Sequence, residues 1–205
     1  MIEAETGPPV ELHSDLAVAG GGPRLGVIKD SEVALDLIRD AEVIVIQPEP
    51  GAAASAWNSY FAGECGGDEC LQCFRDSASA HRDFVDEYLD LLLELVQPGT
   101  IIRAVRTYTW GPDGFEPSLR EDDPETLNVL IHGLVAMSNE AELSAVEHGI
   151  PTVDAGATFN GPDYRDLAPE DYLQSDRVHL ADEGSRVVAD LLDALGYEPT
   201  IAAAG

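Results

Sequence analysis

The sequence predicts an α/β protein, a three-layer αβα sandwich built on a parallel sheet. Three observations point that way. Strand-like and helix-like segments alternate along almost the whole chain, the pattern that gives parallel sheets with right-handed crossovers. The run Val43-Ile44-Val45-Ile46 is continuously β-branched, as expected of a strand buried on both faces within such a sheet. The apolar residues of the other segments recur at helical spacing and end at Gly or Pro. At 205 residues the chain is expected to form one domain, 1–205.

The elements follow in order. Val10 to Val18 reads as a strand running into the turn cluster Ala19-Gly20-Gly21-Gly22-Pro23. Asp30-Ser31-Glu32 starts a helix whose apolar face, Val33, Leu35, Leu37 and Ile38, lasts to about Arg39. The strand Glu42–Ile46 ends at Gln47-Pro48-Glu49-Pro50-Gly51, where two prolines stop ladder pairing. Residues 51–73 read as a long loop carrying Trp57, Tyr60, Phe61 and all three cysteines. A helix is expected from about Asp76 to Val96, with Phe84, Val85, Tyr88, Leu89, Leu92, Leu95 and Val96 inward, closed by Gln97-Pro98-Gly99. Thr100 to Val105 is the next strand, and Tyr108 to Pro124 a second long loop with Trp110 and Phe115. Pro124 lies in the first turn of a helix that reaches about His148 and closes at Gly149. Ile150 to Asp154 is a short strand, Asn160-Gly161-Pro162-Asp163 a loop, and Val187, Val188, Leu191, Leu192 and Leu195 mark the last helix. Residues 198–205 read as a flexible tail.

The charge balance is unusual. The chain has 39 acidic and 11 basic residues, a formal net charge of −28, and a single lysine, Lys29. Self-repulsion on this scale favours solubility and disfavours nucleic acid and anionic membranes as partners. It fits either adaptation to high salt or a biased genome. No apolar run reaches membrane-spanning length, and Met1-Ile2-Glu3-Ala4-Glu5 does not open as a signal peptide does. Secretion stays open if the N-terminus is incomplete. Cys65, Cys70 and Cys73 match no standard zinc spacing, even with His81 added. A disulfide from Cys65 to Cys70 or Cys73 is the expectation in an oxidising compartment, with one cysteine left over.

The stretch with the most chemistry is Ser175-Asp176-Arg177-Val178-His179-Leu180-Ala181-Asp182-Glu183-Gly184. An Asp precedes a His by three residues, and a helix anchors the pair at once. A general base needs this arrangement, because a carboxylate close to an imidazole fixes its tautomer and stabilises its protonated form. In open α/β sheets ligands bind beyond the carboxyl ends of the strands. There the Gly20 turn, the loop after Ile46, the loop after Thr107 and this decamer are expected to meet.

With these blocks in view, the chain resembles the SGNH (GDSL-type) hydrolases, whose sandwich is flavodoxin-like, over about Val10 to Gly196. Asp176-x-x-His179 is similar to the family's last block, Leu16-Ala17-Val18-Ala19-Gly20 to its second, Val43–Ile46 to the strand before its third, and Asp154–Phe159 to the segment before the catalytic loop. The resemblance implies an ester hydrolase acting on a small-molecule ester, with His179 as base, Asp176 as its partner and Gly20 as an oxyanion donor. It implies no metal and no organic cofactor. Gly51 offers a further backbone donor, and Trp57, Trp110 and Phe115 either line a substrate cleft or pin the long loops.

The family pattern is also broken twice. The Gly-Asp-Ser block carrying the nucleophile does not occur, and its strand is expected to be missing. Where the third block should end Gly-x-Asn-Asp, the chain has Gln47-Pro48-Glu49-Pro50-Gly51-Ala52. Three functions therefore compete: an SGNH-type esterase whose sequence starts late, a relative that binds without catalysis, and a nucleotide-binding α/β protein using Gly20-Gly21-Gly22. Against the last, Leu25 stands where a Gly-x-Gly-x-x-Gly fingerprint needs its final glycine. Ser14, Ser31 and Ser55 read as polar or capping residues, and His13, His81, His132 and His148 as structural or solvated.

Overall fold

The computed structural model describes residues 11–13, 25–48, 53–108 and 123–202. The predicted first strand, Val10 to Val18, falls almost wholly outside them; Glu11–His13 are exposed and carry no strand. The described elements are α1 (Leu25–Lys29), α2 (Glu32–Asp40), β1 (Val43–Ile46), α3 (Ala53–Phe61), a 3-10 turn (Asp68–Cys70), α4 (Gln72–Leu95), β2 (Ile101–Arg106), α5 (Pro124–Glu147), β3 (Thr152–Asp154), α6 (Ala155–Asn160) and α7 (Asp182–Ala194).

The three strands form a parallel sheet in the order β1-β2-β3. Val43 pairs with Ile101 and Ile46 with Ala104, while Ala104 pairs with Thr152 and Arg106 with Asp154. Helices cover both faces, which makes the architecture an αβα sandwich. On one face α1, α2, α4 and α5 enclose Ile46, Ile102 and Ala104 together with Val85, Leu89, Leu92, Ala141 and Ala145. On the other, Val105, Val153 and Ala155 meet Val188, Leu191, Leu192 and Leu195 of α7.

Local chemistry sets the helix ends. Ser31 caps α2 by accepting from the Ala34 amide at 3.3 Å. Asp123 caps α5 by accepting from Thr126 at 3.1 Å, with Pro124 in the first turn. The parallel helices α4 and α5 come close where Phe74 lies against Gly133; a Cβ there would sit 2.3 Å from the ring. Polar pairs tie the rest of the contact, Arg82 with Glu140 at 3.2 Å and His148 with Asp90 at 3.3 Å.

Three expectations need correction, and one open choice is resolved. β1 is not buried on both faces: Val45 is 53% exposed, and β1 pairs only with β2 among the described residues. Continuous burial belongs to β2, whose four central residues, Ile102, Arg103, Ala104 and Val105, are all buried, with Ile102 at 0% exposure. Residues 51–73 are not one long loop. Ala53 and Ala56 are small enough to let α3 pack closely onto α4 and α5, and α4 starts earlier than expected, at Gln72. Of the two partners expected for Cys65, Cys73 is the one bonded, and Cys70 is the cysteine left over, free and exposed. Finally, residues 198–202 are not a free tail. Thr200 Oγ1 accepts from the Ile102 amide at 2.7 Å, the Gly99 amide donates to the Ile201 carbonyl at 2.9 Å, and Arg103 donates to the Glu198 carbonyl at 2.9 Å. The Thr200 bond satisfies the Ile102 amide, near the start of β2, which β3 is too short to reach.

Candidate active site

The carboxyl ends of the three strands are tied to one another. Beyond β1, Gln47 Nε2 donates to Thr107 Oγ1 at 2.7 Å, and Thr107 is buried. At the end of β2, Arg106 donates to Asp154 of β3 at 3.2 Å and to Glu142 of α5 at 3.0 Å, while its guanidinium lies 4.4 Å above the Tyr164 ring. Asp154 also caps α6, accepting from the Ala157 amide at 2.8 Å, and accepts from the Tyr164 hydroxyl at 2.5 Å. Burial and that carboxylate push the Tyr164 phenol up, so it stays a donor. A cavity of about 10 Å³ beneath this edge is lined by Pro48, Thr107, Ser138 and Glu142. That is the size of one water and no place for an acyl chain.

The Asp–His decamer folds as a closed loop between α6 and α7. A bridge between Leu173 and Leu180 closes its base, and the Gln174 amide donates to the His179 carbonyl at 2.8 Å. Arg177 takes a left-handed conformation, φ 58°, and donates to the Ala168 carbonyl at 3.0 Å. Gly184, in the first turn of α7, lies directly against the Tyr172 backbone. A Cβ there would come within 2.1 Å of the Tyr172 carbonyl oxygen, so only glycine lets α7 start this close to the loop.

Within the loop Asp176 and His179 meet. Asp176 Oδ2 lies 2.6 Å from His179 Nδ1, and Oδ1 accepts from the Val178 and His179 amides at 2.9 and 3.0 Å. The His179 side chain first, then these backbone donors, hold the Asp176 carboxyl down at about 2. An ionised partner at Nδ1 selects the tautomer that leaves Nε2 as the basic nitrogen. The His179 side chain is 65% exposed, so Nε2 is accessible.

The other candidates are placed differently. Gly20, Gly51 and Trp110 lie outside the described residues. Trp57 packs among Ala53, Ala78, Leu134 and Met137 at the α3–α4–α5 junction. His81 is buried on α4, 4% exposed; burial pushes its pKa down to about 4, with a smaller opposing effect from the Pro48 carbonyl. Its place in the α4 stripe was readable from Ala78, Val85 and Leu89 at helical spacing. Gln47 was not singled out in the sequence, although its position just past a strand end was a usable signal. Among the described residues no group of three His, Cys, Asp or Glu side chains could hold a metal ion, and no helix is long and apolar enough to cross a membrane.

No protein-family profile matches the sequence, and no curated protein matches it. A solved structure does. The lipase Lip_vut3 from a goat rumen metagenome superposes with a TM-score of 0.66 at 16% identity, over 97% of this chain and 85% of that one. At that identity the likeness shows the fold. This chain has the α/β sandwich of that protein.

Proposed function

We propose that this chain is a carboxylic ester hydrolase of the SGNH type, with His179 as general base and Asp176 as its partner. The observation that carries the proposal is the 2.6 Å contact between His179 Nδ1 and Asp176 Oδ2, which leaves Nε2 exposed on a loop anchored by α7. The shared fold with a protein named as a lipase supports it. In the Ser-His-Asp mechanism, Nε2 takes the proton of a serine hydroxyl as its oxygen bonds to the ester carbon. The leaving alcohol then takes that proton, and water, deprotonated by the same nitrogen, releases the acid. The Gly-Asp-Ser tripeptide that supplies this serine in the family is not among the 205 residues.

The test is hydrolysis of short-chain p-nitrophenyl esters by the chain and by His179→Ala. Where the chain turns over the ester, the expected result is a rate lower by about 10³-fold or more in the variant; no turnover by the chain itself counts for the second reading below. Turnover that His179→Ala leaves intact would refute the role of the base. A second reading is a relative that binds esters without cleaving them. Gln47-Pro48 standing where the family's oxyanion-donating block begins favours it, since losing one such donor costs about 10²–10³ in rate. Saturable binding of an ester analogue with no turnover, equal in both proteins, is its signature.

A further inference from the structure

We propose that Tyr108 is the positioning residue of the Asp176–His179 pair, acting through the single peptide group that joins Val178 to His179. The proposal rests on the base-and-partner reading above.

Tyr108 follows β2 by two residues, next to Thr107, which Gln47 locks across the strand ends. Its ring is 9% exposed and stacked on Phe159 at 5.2 Å between centroids, and Phe159 is tilted on Tyr172 at 5.0 Å. The three rings, with Ala168 and Leu173, form the small apolar cluster on which the decamer sits. A phenol held this firmly aims its hydroxyl in one direction. That hydroxyl donates to the Val178 carbonyl oxygen at 2.6 Å, seventy residues away in sequence.

The Val178 carbonyl and the His179 amide belong to the same planar peptide group. The amide end of that group donates to Asp176 Oδ1 at 3.0 Å, and Asp176 Oδ2 contacts His179 Nδ1 at 2.6 Å. The bonds therefore run in series, from phenol hydroxyl to carbonyl, from amide to carboxylate, and from carboxylate to imidazole. Donation to the carbonyl polarises the amide at the other end of the same group, which strengthens its bond to Asp176. It also fixes the tilt of a peptide plane in an exposed loop that includes a left-handed residue, Arg177. Tyr108 touches no reacting atom. It ties the orientation of the base to the end of β2.

The experiment compares Tyr108→Phe with Tyr197→Phe in the full chain. Both remove one phenolic hydroxyl; Tyr197 donates to Asp193 near the end of α7 and serves as the matched control. Three quantities are measured: exchange of the Val178 and His179 amides, the Asp176 titration followed by carboxyl NMR, and kcat and KM on a p-nitrophenyl ester. Tyr108→Phe is expected to speed exchange of the His179 amide about fivefold to tenfold, the worth of one neutral hydrogen bond. It should raise the Asp176 titration from about 2 toward the ordinary carboxylate range, and lower kcat by about the same fivefold to tenfold with KM unchanged. Tyr197→Phe should move none of these. Exchange and titration in Tyr108→Phe indistinguishable from Tyr197→Phe overturns the proposal. If neither protein hydrolyses the ester, the function reading fails and the first two measurements still decide the role of Tyr108.

Discussion

The two faces of the sheet are packed very differently. Against the face that carries Ile46, Ile102 and Ala104, α4 and α5 bury side chains completely: Val85, Leu89, Leu92 and Ile102 are all 0% exposed. Against the opposite face α7 buries only Gly184, and Val187, Val188, Leu191, Leu192 and Leu195 remain half-exposed. Val45 pairs with Arg103, whose side chain reaches the carbonyls just after α7, so Val45 points to this thinner side, where it is 53% exposed. The deep layer carries the stability. The thin layer carries the Asp–His loop at its N-terminal end, where local opening is cheaper.

The largest expected effect comes from emptying the deep layer. Leu89→Ala removes a fully buried side chain, and the cost should be about 2–5 kcal/mol in urea unfolding. Leu192→Ala on the thin side removes a half-exposed side chain and should cost about 1–2 kcal/mol, roughly in proportion to the apolar area lost. Equal costs at the two positions would break the contrast between the faces.

This asymmetry also governs what could be read in the sequence. The bounds of α2, α4, α5 and α7 were legible within a few residues, because each has several turns of apolar spacing. The contact between Asp176 and His179 was legible because only two residues separate the pair. The burial of β1 is not legible, because Val43–Ile46 is apolar on both sides, and sequence pattern reports what a strand can bury, not what arrives to cover it. α3 was hidden by its composition: alanines and aromatics in Ala53–Phe61 carry no clear stripe, and the close approach of Ala53 and Ala56 depends on α4 and α5. α6, six residues long, offers too little periodicity to register. The link from Tyr108 to Val178 is a tertiary contact between segments with no shared local pattern.

A second, comparable effect locates an acid-sensitive point in the deep layer. His81 is buried and its pKa is lowered to about 4 from an ordinary 6.5. The unfolded chain binds this proton as pH falls through 6.5, whereas the folded chain resists until about 4. Stability is therefore unaffected by His81 above 6.5, falls between 6.5 and 4, and does not fall further on its account below that. The loss amounts to about 3 kcal/mol. In His81→Leu this fall should disappear from a plot of unfolding free energy against pH. A fall that persists unchanged in the variant assigns the sensitivity to another group.

The smallest effect on stability, and the one that isolates the thin layer, is expected from Asp176→Asn. Asp176 and His179 are both exposed, and solvent screens their attraction. The melting temperature at pH 7 should shift by less than about 3 °C. The acid limb is more specific. The depressed Asp176 pKa contributes stability above the ordinary carboxylate value of 3.8, and that contribution is lost as pH falls toward about 2. Asn cannot ionise, so the variant should be flatter than the parent between those values. Asn keeps an oxygen for the Val178 and His179 amides, so the loop should hold its shape. What it gives up is the charge that selects the His179 tautomer and stabilises the imidazolium. In the Ser-His-Asp template that exchange costs about 10⁴ in kcat. A large loss of esterase rate with an unchanged melting temperature means that the thin layer serves chemistry without contributing much to the fold. Parallel loss of both means that the Asp176 contact supports α7 as well, and that the two faces are less separate than their burial suggests.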